Sequence, residues 1–137
     1  MIRVVIDTNV VISALLFGGI PGKLITLWKK ALITPVVSRD IIDEYIKVLA
    51  YPKFNLSREE INYLLYQEII PFFEVISVKQ RPVIIKEDPS DDKFIRCTQS
   101  GNAIVIISGD HHLLSLSSFK EIKILSPSQF LEEYNLG

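Results

Sequence analysis

Short runs of β-branched and aliphatic residues alternate along the chain with longer stretches whose apolar positions recur at helical spacing. That is the pattern of an α/β domain whose strands are buried on both faces. The short runs predict strands at 3–7, 33–37, 75–78, 103–107 and 123–125, enough for a small, mainly parallel sheet of about five strands. Helices are predicted at 10–17, closed by Gly18-Gly19, and at 22–31, with Pro21 marking the start. A third covers 38–49: Ser38 is a good N-cap, Asp40 suits the first turn, and Ile42, Tyr45, Ile46 and Leu49 recur at helical spacing. A fourth runs from Ser57 to a break at Pro71, and a fifth opens at Asp88-Pro89-Ser90-Asp91 and ends near Ser100-Gly101. Short helices at 111–116 and 128–134 complete the set.

With 137 residues, 48% hydrophobic and 23% charged, the chain has the length of one domain and enough apolar material for a core. No repeat or low-complexity stretch divides it. Lys plus Arg number 15 against 16 Asp plus Glu, so the total charge of −1 gives no general attraction to a polyanion, and any nucleic-acid contact must be local. One cysteine, Cys97, excludes an internal disulfide framework and a thiolate zinc cluster. Asp7 follows the first apolar run too soon for a cleavable leader, and no apolar run approaches the roughly 20 residues that span a bilayer. A soluble, cytoplasmic protein with no membrane partner is the expectation.

The chemistry lies in the acids. Asp7 ends the first predicted strand and Asp110 follows the strand at 103–107 through Ser108-Gly109. Residues at the carboxyl ends of parallel strands line the crevice where α/β sheets bind ligands. An Asp between strand and helix is also a favoured N-cap, so either residue alone has a plain structural explanation. Asp92 does not: Asp88 as N-cap, Pro89 at the first helical position and Asp91 in the first turn already satisfy that helix. On the third helix Glu44 lies beside the apolar arc, next to Ile41 and Val48, while Asp40, Asp43 and Lys47 point further out. A solvated glutamate is the plain alternative there. Four converging carboxylates repel one another unless a cation neutralises them, and all-oxygen ligands favour Mg²⁺ or Mn²⁺ over zinc. Such sites recur in enzymes that hydrolyse phosphodiesters.

These residues resemble the PIN-domain ribonucleases, especially the VapC-like group labelled as toxin components of toxin–antitoxin pairs. The matching pieces are Val5-Ile6-Asp7-Thr8-Asn9-Val10, Ser38 followed by Glu44, Asp88-Pro89-Ser90-Asp91-Asp92-Lys93-Phe94, Ser108-Gly109-Asp110 with Leu113-Leu114, and Ser126-Pro127-Ser128-Gln129-Phe130-Leu131. They span nearly the whole chain in the right order. The resemblance implies a single three-layer α/β/α domain over 1–137 and a metal site of Asp7, Glu44, Asp92 and Asp110. It also implies orienting roles for Asn9 and for Ser108, which stands where relatives have Thr. Asp88 and Asp91 are the alternatives to Asp92. The activity implied is endonucleolytic cleavage of single-stranded RNA with Mg²⁺ or Mn²⁺, restrained by an antitoxin protein, in a chain that forms homodimers as many relatives do. Lys93 and Arg96 are the best-placed phosphate contacts, ahead of Lys29-Lys30 and Lys53 with Arg58.

Other readings fit less well. A phosphatase of the haloacid-dehalogenase type needs an aspartate where Asn9 stands, and a dinucleotide-binding module needs a Gly-x-Gly-x-x-Gly turn after the first strand. A receiver domain needs a phosphoacceptor aspartate on a middle strand, whereas the third strand ends near Val78-Lys79. The remaining alternative is a non-catalytic PIN-type domain that binds RNA or protein. His111 and His112 are adjacent and would diverge on a helix, a poor zinc pair. Trp28, Tyr63 and Tyr66 have packing spacings, and Cys97 is expected to pack as a small apolar residue.

Overall fold

In a computed structural model, residues 2–78, 92–116, 118–119 and 121–136 are described. The strands are β1 (Ile2–Ile6), β2 (Ile33–Val37), β3 (Glu74–Val75), β4 (Val105–Ile107), β5 (Ser118–Phe119) and β6 (Ile122–Leu125). The helices are α1 (Thr8–Phe17), α2 (Gly19–Lys29), α3 (Arg39–Leu49), α4 (Arg58–Tyr63), α5 (Asp92–Ser100), α6 (His111–Leu116) and α7 (Pro127–Glu133). The sheet order is β3-β2-β1-β4-β6-β5. Its first five strands pair in parallel, as the β-branched runs predict. The order steps outward from β1 in both directions, so right-handed crossovers cover both faces with helices, a three-layer α/β/α arrangement.

Several boundaries differ from expectation for local reasons. α1 begins at Thr8 rather than at position 10, and α2 begins at Gly19, with Pro21 inside its first turn. Gly18 stands between them at φ +72°, a left-handed conformation that lets the two helices meet at 95°. Among the described residues no single helix is long and apolar enough to cross a membrane; α1 and α2 pass such a test only as that bent pair. The expected helix at 57–70 is regular only through Tyr63, after a Ser57–Glu60 capping box, and continues as a π-helical segment over Leu64–Ile69. Leu65 and Ile69 carry its buried stripe. Tyr63 and Tyr66 fall off that stripe and are 58% exposed, contrary to the packing role their spacing suggested. The two-residue strand β5, which forms an antiparallel edge with β6, has no signature in the hydrophobic pattern. The proposed opening of the fifth helix at 88–91 lies outside the described residues.

The core joins β1, β2 and β4 to the inner faces of the helices. Val4, Val5, Val37, Val105, Ile106 and Ile107 are fully buried. Trp28 packs edge-on to Phe73 at 5.0 Å, and its indole N–H donates to the Glu68 carbonyl at 3.0 Å. Cys97 on α5 is fully buried, its thiol 3.7 Å from the Val36 carbonyl. Burial pushes that thiol up to about 12. It is a packing residue held on β2.

Candidate active site

After β1 the chain moves to β2 and β3 on one side of the sheet, then returns to β4 on the other. The crevice outside the carboxyl ends of β1 and β4 is therefore the topological switch point. Ile6 is in register with Ile107, and the Asp7 N–H donates to the Ile107 carbonyl at 2.9 Å, so Asp7 and Ser108 leave the sheet side by side. Ser108 is completely buried. Its hydroxyl donates to Asp7 Oδ2 at 2.7 Å and accepts from the Asp110 N–H at 2.9 Å. One hydroxyl thus fixes the first aspartate and the loop that carries the second.

Asp7 occupies the N-cap position of α1 yet makes no capping hydrogen bond there. The nearby Asn9 N–H only eases its ionisation, and the carboxylate is committed to Ser108. Asp7 is 5% exposed. Burial holds its carboxyl above the usual range, opposed by the Ser108 hydrogen bond and reinforced by the negative charges of Asp110 and Glu44. Asp7, at the exit of β1, therefore feels the charge of an acid on α3 and of another on the loop after β4.

Glu44 reaches this crevice because Ser38 caps α3 and starts it beside β1. The Ser38 side chain accepts from the Ile41 N–H at 3.3 Å. The next residue, Tyr45, is fully buried and donates its hydroxyl to the Ile6 carbonyl at 3.0 Å, which pins α3 beneath the end of β1. Burial raises the Tyr45 phenol, and the charges of Asp7 and Glu44 add to that. Glu44 accepts from the Thr8 hydroxyl through Oε2 and pairs through Oε1 with the Lys93 ammonium at 2.6 Å. The same ammonium lies 5.6 Å from the Phe94 ring centroid. Lys93, named from the sequence as a phosphate contact, is here the counter-ion of Glu44. Its position also sets the first turn of α5, which begins at Asp92, beside Glu44.

The structure thus groups Asp7, Glu44, Ser108 and Asp110. The Asp92 side chain lies outside what is described, and Arg96 is half-buried one turn further along α5. Asn9 is exposed, and it is its backbone N–H, not its amide, that acts on Asp7. Among the described residues no three His, Cys, Asp or Glu side chains already surround a common point. The donors fit a hard divalent cation all the same: they are carboxylate oxygens, and a buried Asp7 burdened by two like charges is relieved by positive charge. Sequence reasoning missed Thr8, Tyr45 and the Lys93–Glu44 pair. Thr8 alone left a signal, as a hydroxyl residue directly after the strand-end aspartate.

Comparison with known proteins agrees with this geometry. The PIN domain family matches residues 3–112, which takes in β1, α3, α5 and the β4 exit. The chain is also similar to the uncharacterized protein MJ1680 of Methanocaldococcus jannaschii, with 34% identity over 145 aligned positions covering 97% of this chain and 92% of the relative. With a buried strand-end aspartate, its serine clasp and a family match over most of its length, the chain belongs to the PIN domain family, whose members are in general metal-dependent nucleases.

Proposed function

We propose that this protein is a divalent-metal-dependent endoribonuclease that hydrolyses phosphodiester bonds of single-stranded RNA. The observation that carries the reading is Asp7: a buried carboxylate at the exit of β1, clasped by the Ser108 hydroxyl and pressed by the charges of Asp110 and Glu44. Like charges around a buried carboxylate disfavour its ionised form, and a bound cation would relieve them.

Asp7, Glu44, Asp92 and Asp110 would hold the ion. When bound, Mg²⁺ or Mn²⁺ supplies Lewis acidity to the phosphoryl oxygen and lowers the pKa of water. Ser108 keeps Asp7 in one rotamer and fixes the Asp110 backbone, so the acids need little reorganisation. Asn9 tunes Asp7 through its N–H. Lys93 balances the charge of Glu44, and Arg96, one turn further along α5, would be the phosphate contact. The Thr8 hydroxyl orients Glu44. We extend the reading, on resemblance alone, to a cytoplasmic toxin restrained by an antitoxin and acting as a homodimer.

Incubation of labelled single-stranded RNA with the purified chain tests the activity. Internal cleavage in Mg²⁺ or Mn²⁺, abolished by chelator, is expected; RNA that stays intact in both metals rejects the enzyme in favour of a non-catalytic RNA-binding or protein-binding domain. Growth arrest on expression of the wild type, absent with Asp7→Asn, tests the toxin role.

A further inference from the structure

The carboxyl end of β1 leads into α1, and one face of that helix carries Asn9, Ser13, Leu16 and Phe17 at helical spacing. This face forms a cavity of about 590 Å³ with Lys53 and Phe54 of the 3₁₀ turn Pro52–Phe54. From Asn9 to Phe17 is eight residues, about 12 Å along the helix axis. Phe17 is 71% exposed, an unusual position for a large ring. It is not loose: Phe54 lies against it at 6.1 Å and 53°. The Lys53 ammonium sits 5.1 Å from the Phe54 centroid.

We infer that this α1 face is a binding subsite for single-stranded nucleic acid flanking the cleaved phosphate, with a base stacked on Phe17 and a phosphate held by Lys53. The inference rests on the nuclease reading above and adds where the strand runs. Three observations carry it. The face adjoins the carboxylate crevice at Asn9, which lies two residues after Asp7 and lines the cavity. An exposed, braced aromatic beside a cation is the pairing that holds unpaired bases and their phosphates. The polar residues Asn9 and Ser13 lie between the rings and the crevice, where a sugar or base edge would need hydrogen bonds. A wholly apolar protein partner would leave Lys53 and Asn9 unanswered. The adjoining hollow, lined by Leu56 with Glu59 and Glu60, turns acidic, so the strand would leave the protein beyond Phe54.

The test is binding of a short fluorescent single-stranded RNA to the full chain in chelator, followed by the KM and kcat of cleavage in Mn²⁺. Phe17→Leu keeps an apolar contact with Phe54 but removes the flat face; it should weaken binding about tenfold and raise KM with kcat unchanged. Phe17→Trp should restore both. Lys53→Gln should weaken binding and reduce the salt slope by about one counterion. Circular dichroism checks that the variants fold, as the exposure of Phe17 favours. Wild-type affinity and KM in Phe17→Leu, beside normal cleavage by the wild type, overturn the subsite and leave the nuclease reading standing. If instead Phe17→Leu breaks up an oligomer while RNA affinity is unchanged, the face is a protein interface and the subsite is again rejected. A wild type that binds RNA through Phe17 but never cuts it rejects the nuclease reading and, with it, the placement of this face beside a cleaved phosphate.

Discussion

Replacing Ser108 by Ala removes two hydrogen bonds with one hydroxyl. The first, 2.7 Å from Asp7 Oδ2, is charge-assisted and completely buried; the second, 2.9 Å from the Asp110 N–H, is partly buried. Leaving a buried carboxylate oxygen without its donor costs about 2–3 kcal/mol, and the Asp110 N–H, which water can reach, adds up to about 1 kcal/mol. Urea unfolding of Ser108→Ala at neutral pH in chelator should therefore show a loss of about 2–4 kcal/mol with an unchanged m-value. Because most of the loss runs through the Asp7 carboxylate, the same substitution in an Asp7→Asn background should cost at least about 1 kcal/mol less. A loss below about 0.5 kcal/mol, or an equal loss in both backgrounds, would refute the claim that Ser108 serves Asp7.

The pressure on Asp7 also sets a pH dependence. Its folded carboxyl is held above the unfolded value of about 4, so the folded state binds the proton more tightly; stability is greatest below that value and falls as pH rises through the folded one. Asp7→Asn should flatten that fall and exceed the wild type in stability at pH 7 in chelator, and equal denaturation midpoints there would contradict it. At Gly101 an added Cβ would stand 2.5 Å from Val36 Cγ1 and 3.1 Å from the Cys97 carbonyl, so Gly101→Ala should destabilise by about 1–3 kcal/mol, read by thermal unfolding. Cys97, fully buried with its thiol near 12, should resist alkylation at pH 8 until the protein unfolds; rapid labelling of the native chain would place it at the surface.

The legible parts of this protein are those governed by neighbours in sequence. Runs such as Val4-Val5-Ile6 and Val105-Ile106-Ile107 are short, β-branched and apolar on both faces, as strands of a covered parallel sheet are, and they became β1 and β4. The caps at Ser38 and Ser57 sit where a hydroxyl can satisfy an early helix N–H. The exits of β1 and β4 placed Asp7 and Asp110 at one sheet edge. What stayed hidden is long-range. Thr8 meets Glu44 across 36 residues, and nothing local marks Lys93 as the partner of Glu44; the orienting role of Ser108, which meets Asp7 across 101 residues, came from the family resemblance and not from any local signal. The π-helical segment at Leu64–Ile69 and the two-residue strand β5 depend on tertiary packing rather than propensity. The exposed tyrosines show the same limit: spacing indicates that a stripe exists, but not which residues complete it.

Calorimetric titration of Mn²⁺ into the metal-free chain and into Asp7→Asn probes the central claim most directly, because it asks whether these acids form a cation site without requiring a substrate. The wild type is expected to bind with a measurable heat that Asp7→Asn weakens at least about tenfold while remaining folded. Equal Mn²⁺ affinity in the two proteins, or no binding by either, would mean that the carboxylates gathered around Asp7 do not hold a metal.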